Sequence, residues 1–206
     1  MTKISAEQVK ALRDATGVGL MDAKRALEET NGDMEQAVTA LRKSGAMKAA
    51  KKAERSTSEG FVASYIHGDG RIGVLVELNC ETDFVARNET FQALAHDLAL
   101  HVAATNPLYI SREDVPEQVV AKERDLYVAQ LQEEGKPAER IEMIVQGKLD
   151  KYLADIVLLD QAFVKDETKT IGELMQHAVQ TLGENIQIAR FARFMIAGHP
   201  NVCRVG

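Results

Sequence analysis

From Ser5 onward, apolar residues return every three or four positions. Val9 and Leu12 share one face of a first predicted helix, and Ser5 with Gln8 forms a capping box at its start. The glycines of "TGVG" (Thr16 to Gly19) break that period. It resumes near Met21 to Thr30, with Ala23, Ala26 and Leu27 inward. "NGD" (Asn31 to Asp33) then stops the second helix and offers Asp33 as cap of a third. The third carries Met34, Ala37, Val38 and Leu41 and is expected to end at Gly45. Helices this short are not stable alone, so residues 1–45 are predicted to pack as a minimal three-helix module.

Residues 46–59, rich in Ala and Lys and then in Ser and Thr, read as a linker that begins helical and ends loose. Lys48, Lys51, Lys52 and Arg55 would share a face if helical. Such a face suits phosphate or an acidic partner, or it simply solvates the linker. From Gly60 the period drops to two. "FVASYIH" and "RIGVLVELN" read as strands joined by "GDG", where Gly68 and Gly70 supply the positive φ of a tight hairpin.

"ETFQALAHDLALHVAA" is again helical, with Phe91, Leu94, Ala95, Leu98 and Val102 in phase. Beyond Pro107 and Pro116, two helical stretches around "GKP" predict a helical hairpin at about residues 116–160, expected to project from its domain. Val119, Leu126, Tyr127 and Leu131 are its expected seam, with Ile141, Ile144, Val145, Leu149 and Tyr152. Thr170 with Glu173 caps a further helix ended by Gly183, and "NIQIARFARFMIA" reads as a long strand. The fold class is therefore α+β. An N-terminal three-helix module precedes a core over residues 60–206, in which a small antiparallel three-stranded sheet is covered by helices. The sheet's open edges favour pairing with another chain.

Composition narrows the function. The formal net charge is -6, whereas a phosphate-backbone binder carries a basic excess, so direct nucleic-acid binding is not expected. No stretch is long and apolar enough for a membrane span, and "MTKISAEQ" has no signal region, which points to the cytoplasm. The two cysteines, Cys80 and Cys203, are too few for a disulfide scaffold, and Cys80 reads as a buried filler rather than a nucleophile. His96 and His101, five positions apart, do not share a helix face and make no metal pair. "TGVGLMDAKR" lacks the spacing of a phosphate loop, and no nucleophile elbow occurs. These absences describe a binding protein without catalytic residues, metal or cofactor.

One stretch remains to be explained: "NCETDFVARNE", Asn79 to Glu89, at the end of a strand. Thr82 or Asp83 suits the cap of a short helix. Phe84 either turns back into the core or is presented outward to a partner.

Three long motifs, in order along the chain, resemble the elongation factor Ts family: "LRDATGVGLMDAKRALEETNGDMEQAVTALRKSG", "NCETDFVARNETF" and "LGENIQIARFARF". The resemblance implies that the first module is ubiquitin-associated-like (UBA-like). It also implies guanine-nucleotide exchange on elongation factor Tu, the GTPase that delivers aminoacyl-tRNA. In that family the matching Asp and Phe push into the GTPase near its Mg²⁺ site, a role implied here for Asp83 and Phe84, with Thr82 and Val85 beside them. Leu12, Leu20, Met21 and Lys24 match positions that dock on the GTPase. His67, Val164, Leu182 and Gly183 match core positions that touch it. Longer members carry two core subdomains and this chain has material for one, so a homodimer is expected. The tail "GHPNVCRVG" matches no family motif, and its Cys203 is expected to be a free thiol rather than a bridge between subunits. A non-enzymatic adaptor built on the first module is the alternative, and it leaves the "TDFV" stretch without a purpose.

Overall fold

A computed structural model describes residues 4–16 and 18–196, so Cys203 and the tail lie outside the described residues. The chain opens with α1 (Ala6–Thr16), α2 (Leu20–Glu29) and α3 (Met34–Lys52). Their starts follow the predicted caps. The Gln8 N–H donates to Ser5 Oγ at 3.1 Å, the Ser5 N–H to Gln8 Oε1 at 3.0 Å, and the Gln36 N–H to Asp33 Oδ1 at 2.9 Å. Leu12, Ala23, Ala26, Leu27 and Ala37 form the bundle core, flanked by Val18, Met34, Val38 and Leu41.

The third helix does not end at Gly45. It continues to Lys52, and Gly45 is buried where a Cβ would run into the side chain of Gln180. The glycine marks a close approach of α3 to a later helix, not a helix stop.

A hairpin follows, β1 (Glu59–His67) and β2 (Ile72–Cys80), turning through Gly68, Asp69 and Gly70, all with positive φ. A single-turn helix α4 (Asp83–Ala86) leads into α5 (Glu89–Thr105). Helices α6 (Glu117–Glu133) and α7 (Ala138–Ile156) form the expected helical hairpin, sealed by Leu131, Val145 and Leu149 with Val120, Tyr127, Val128, Ile141 and Ile144. Three expected seam residues, Val119, Leu126 and Tyr152, are not among these. Leu126 is exposed, and Val119 joins the neighbouring cluster of Tyr109, Val115 and Val157, because the seam follows Val120, Tyr127 and Leu131 along α6.

Short strands β3 (Ala162–Phe163) and β4 (Asp166–Thr170) pair antiparallel, a second sheet that the sequence pattern did not indicate. The Thr170–Glu173 capping box then opens α8 (Ile171–Leu182), with both bonds at 3.1 Å, before β5 (Ile186–Met195). The principal sheet is antiparallel, in the order β1-β2-β5, and the fold is α+β as expected.

Two compact units organise the chain. The first comprises Met1–Phe61, Leu78–Gln92 and Leu174–Gln187, and the second Val62–Glu77, Ala93–Glu173 and Ile188–Gly206. The first thus holds the N-terminal helices and the linker together with the "TDFV" and "LGEN" stretches. Among the described residues no helix is long and apolar enough to cross a membrane.

Candidate functional site

Strand β2 ends at Cys80, whose side chain is buried and whose thiol donates to the Thr82 carbonyl at 3.2 Å. Burial first, and then the nearby Glu184 carboxylate, push that thiol up to about 11, so Cys80 is inert filler rather than a nucleophile. The chain then turns out of the sheet. Thr82 has extended backbone (φ -128°, ψ 156°) at the N-cap position of α4, but its hydroxyl makes no bond to that helix. Two residues further on, Phe84 is 84% exposed. Asp83 pairs with Arg87 at 3.1 Å, Val85 is half-buried, and Ala86 turns into the core. The open question about Phe84 is settled: the residue points outward.

A one-turn helix has too few internal bonds to hold a side chain in place. Its support comes from the turn after α8. The Glu184 carboxylate accepts from the N–H groups of Glu81 and Thr82, each at 3.0 Å through Oε2, and from the Thr82 hydroxyl at 2.6 Å through Oε1. Glu81 reciprocates: its Oε1 accepts from the Asn185 N–H at 2.6 Å and from Arg55 Nη1 at 3.3 Å. These bonds, the Asn185 N–H foremost, hold the Glu81 carboxyl below its usual range. Asn185 Nδ2 donates to the carbonyls of Arg55 (2.8 Å) and Ala53 (3.3 Å), and Lys52 Nζ to those of Gly183 (2.5 Å) and Val179 (3.3 Å). Lys52 and Arg55 of the basic linker face are therefore structural here, tying the end of α3 to the same turn.

Gly183 takes φ +80°, the left-handed conformation that closes a helix C-terminus. It is exposed and Leu182 is half-buried. The structure thus unites two sets of expected site residues, Thr82–Val85 and Leu182–Gly183. Glu184 and Asn185 join them and were missed. Glu184 lies 102 residues from Thr82, and no periodicity reports a contact at that separation.

On α2, Leu20 (54% exposed), Met21 (71%) and Lys24 are exposed, whereas Ala23, Ala26 and Leu27 are buried. Lys24 pairs loosely with Glu28 at 3.7 Å. Leu12 corrects the expectation: at 0% exposure it is bundle core, because α2 and α3 both close over that face of α1, and it presents nothing to a partner.

His67 and Val164 belong to the second unit. His67 is exposed at the end of β1, stacked on Tyr65 with its Nδ1 3.0 Å from the Tyr65 hydroxyl. Val164 is exposed on the turn between β3 and β4, and its N–H donates to His101 Nδ1 at 3.3 Å. That bond leaves the His101 proton on Nε2, which donates to Gln161 Oε1 at 3.0 Å. His101 is fully buried in the core, and burial lowers its pKa below the usual imidazole value. Among the described residues no group of three or more His, Cys, Asp or Glu could hold a metal ion.

The family model described as "Elongation factor TS" matches residues 6–197. The chain belongs to the elongation factor Ts family. The elongation factor Ts of Syntrophomonas wolfei subsp. wolfei is 54% identical over 193 residues, covering 94% of this chain and 90% of the relative. That of Geobacter sulfurreducens is 52% identical, with 94% and 89% covered, and that of Thermosipho melanesiensis 52%, with 94% and 98%. Membership in this family places the chain among translation elongation factors.

Proposed function

We propose that this protein is a guanine-nucleotide exchange factor for elongation factor Tu, promoting GDP release by displacing elements around the Mg²⁺ and phosphate site of that GTPase. The observation that carries the reading is Phe84, an aromatic held 84% exposed on a turn whose backbone is pinned from behind. A rigid aromatic inserts much apolar area at the cost of freezing only two side-chain torsions. Mg²⁺ demands near-ideal octahedral geometry, so a small shift of the helix beside it releases ion and nucleotide together. Asp83 and Phe84 supply the wedge, with Thr82 and Val85 as its shoulders. No bond is made or broken in such a step, so the protein acts by binding alone, without a cofactor or metal of its own. Exchange follows from linkage: a factor that prefers nucleotide-free GTPase weakens nucleotide binding by the same free energy.

Leu20, Met21 and Lys24 dock the N-terminal module, which is UBA-like; because its third helix runs on to Lys52, only residues 53–58 are left to link it to the core. His67, Val164, Leu182 and Gly183 make the remaining contacts. In the second unit, Ile66 lies 3.3 Å from the position of a Gly73 Cβ, Leu75 follows at the strand period, and Glu77 pairs with Arg190 at 2.6 Å. By the same period, Val62 and Phe194 belong to this sheet face, and they are exposed together with Ile66 and Leu75. An uncovered apolar sheet face supports a homodimer, which would double the contact surface of a single-core member. The setting is the cytoplasm, where translation takes place.

Stopped-flow release of a labelled GDP from elongation factor Tu tests the reading. The protein is expected to accelerate release. Binding without acceleration would favour an adaptor, and neither would remove the proposal.

A further inference from the structure

A side chain that displaces part of another protein must leave its own backbone at a fixed angle, or the recoil is absorbed by its own loop. Helix α4 cannot fix that angle. It is a single turn, stabilised internally by the Ala86 N–H to the Thr82 carbonyl at 3.2 Å and the Arg87 N–H to the Asp83 carbonyl at 3.1 Å. The Thr82 side chain, placed to cap it, is turned away to Glu184.

The Glu184 carboxylate is the group on which the turn converges. It takes two consecutive backbone N–H groups and one hydroxyl, all three from the residues just before Asp83 and Phe84. Hydrogen bonds to an ionised acceptor are roughly twice as strong as neutral ones. Two backbone amides on one oxygen also fix the orientation of the peptide between them. The next residue, Asn185, anchors the same turn to the carbonyls of Ala53 and Arg55, just beyond α3.

We propose that Glu184 is the positioning residue of the exchange wedge: its carboxylate grips Glu81 and Thr82 and sets the direction in which Asp83 and Phe84 are presented. The inference rests on the exchange function proposed above, but its structural half can be read without a partner.

The first experiment uses the ¹⁵N-labelled protein alone. Glu184→Ala is expected to lower the backbone order of Asp83 to Val85 on the ps–ns scale and to speed solvent exchange of the Thr82 amide. Glu184→Gln keeps an acceptor oxygen for the two amides and an amide group from which the Thr82 hydroxyl can accept, so it is expected to stay ordered. Thr82→Val removes one bond of three and is expected to loosen the turn less than Glu184→Ala. A turn equally ordered in the Glu184→Ala variant overturns the proposal, whatever the protein's partner is.

The second experiment measures affinity for nucleotide-free elongation factor Tu and stimulated GDP release. Glu184→Ala is expected to slow release by about 10- to 100-fold, the scale of a misplacement near 1 Å, with little change in affinity. Glu184→Gln is expected to restore most of the rate. Affinity and release falling by one common factor, or neither falling, would show Glu184 to be an ordinary contact or surface residue and would overturn the positioning role. Should the wild-type protein fail to accelerate release, the exchange function falls, and the order measurement still decides what Glu184 does to the turn.

Discussion

Phe84 and His101 invert the usual assignment of apolar and polar side chains, one by standing in solvent and the other by lying in the core. Each makes a prediction. Because Phe84 contributes so little to the core, Phe84→Ala should leave stability within about 0.5 kcal/mol, whereas truncating a buried Phe costs about 3–5 kcal/mol. Urea unfolding measures this, and the same variant should lose most of its exchange activity while still binding the GTPase. A large loss of stability would contradict the outward placement. His101 is neutral in its buried network, with Nδ1 accepting from Val164 and Nε2 donating to Gln161. Its folded pKa is lowered below 6.5, so the unfolded chain binds a proton that the folded chain refuses. The contribution is complete above pH 6.5 and is lost as pH falls towards the depressed folded value. Urea midpoints at pH 7.5 and 5.5 should therefore drop further for the wild-type protein than for His101→Gln. A parallel drop would show that His101 does not carry this term.

At the scale of elements, the signals that worked were those read over a few residues. The Ser5–Gln8 and Thr170–Glu173 boxes, the Asp33 cap and the positive-φ turn at Gly68 to Gly70 all join groups close in sequence, so residue type and spacing specify them directly. Glycine serves a different end at each position. At Gly68 it supplies φ, at Gly183 it ends a helix, and at Gly45 it makes room for Gln180 inside a helix that continues. Gly60 on β1 is of this last kind: an added Cβ would lie 2.5 Å from the Leu78 carbonyl and 2.6 Å from Asn79 Oδ1. Backbone on the neighbouring strand cannot withdraw as a flexible side chain can. Gly60→Val is therefore expected to destabilise by about 1–3 kcal/mol despite the high β-propensity of valine, whereas valine at exposed Ser64 on the same strand should be near neutral. Thermal unfolding of both variants tests this, and equal melting temperatures would show that β1 shifts to accept the side chain.

At the scale of the whole molecule, the outward sheet face of Val62, Ile66, Leu75 and Phe194 is the feature most at odds with a lone soluble chain. If the homodimer forms through it, Ile66→Lys with Phe194→Glu should halve the mass found by light scattering while leaving helix content unchanged. A wild-type protein that is already monomeric at working concentration would remove the homodimer from the proposal. Exchange by the monomeric variant would then measure how much of the contact surface a single copy supplies.

The sequence by itself determined the order and type of the main elements, the three-helix module, the helical hairpin and the family. Each is encoded in spacings of a few residues or in long uninterrupted motifs. It left open which way Phe84 faces, and it was silent on Glu184 behind Thr82, on the pairing of β3 with β4 and on the burial of His101. Those were decided by tertiary structure, because each depends on chain segments brought together by folding: 102 residues separate Glu184 from Thr82, and 60 separate His101 from Gln161. Periodicity shows that a face is apolar. It does not show what lies opposite that face, and the opposite side is where the carboxylate that braces this turn was found.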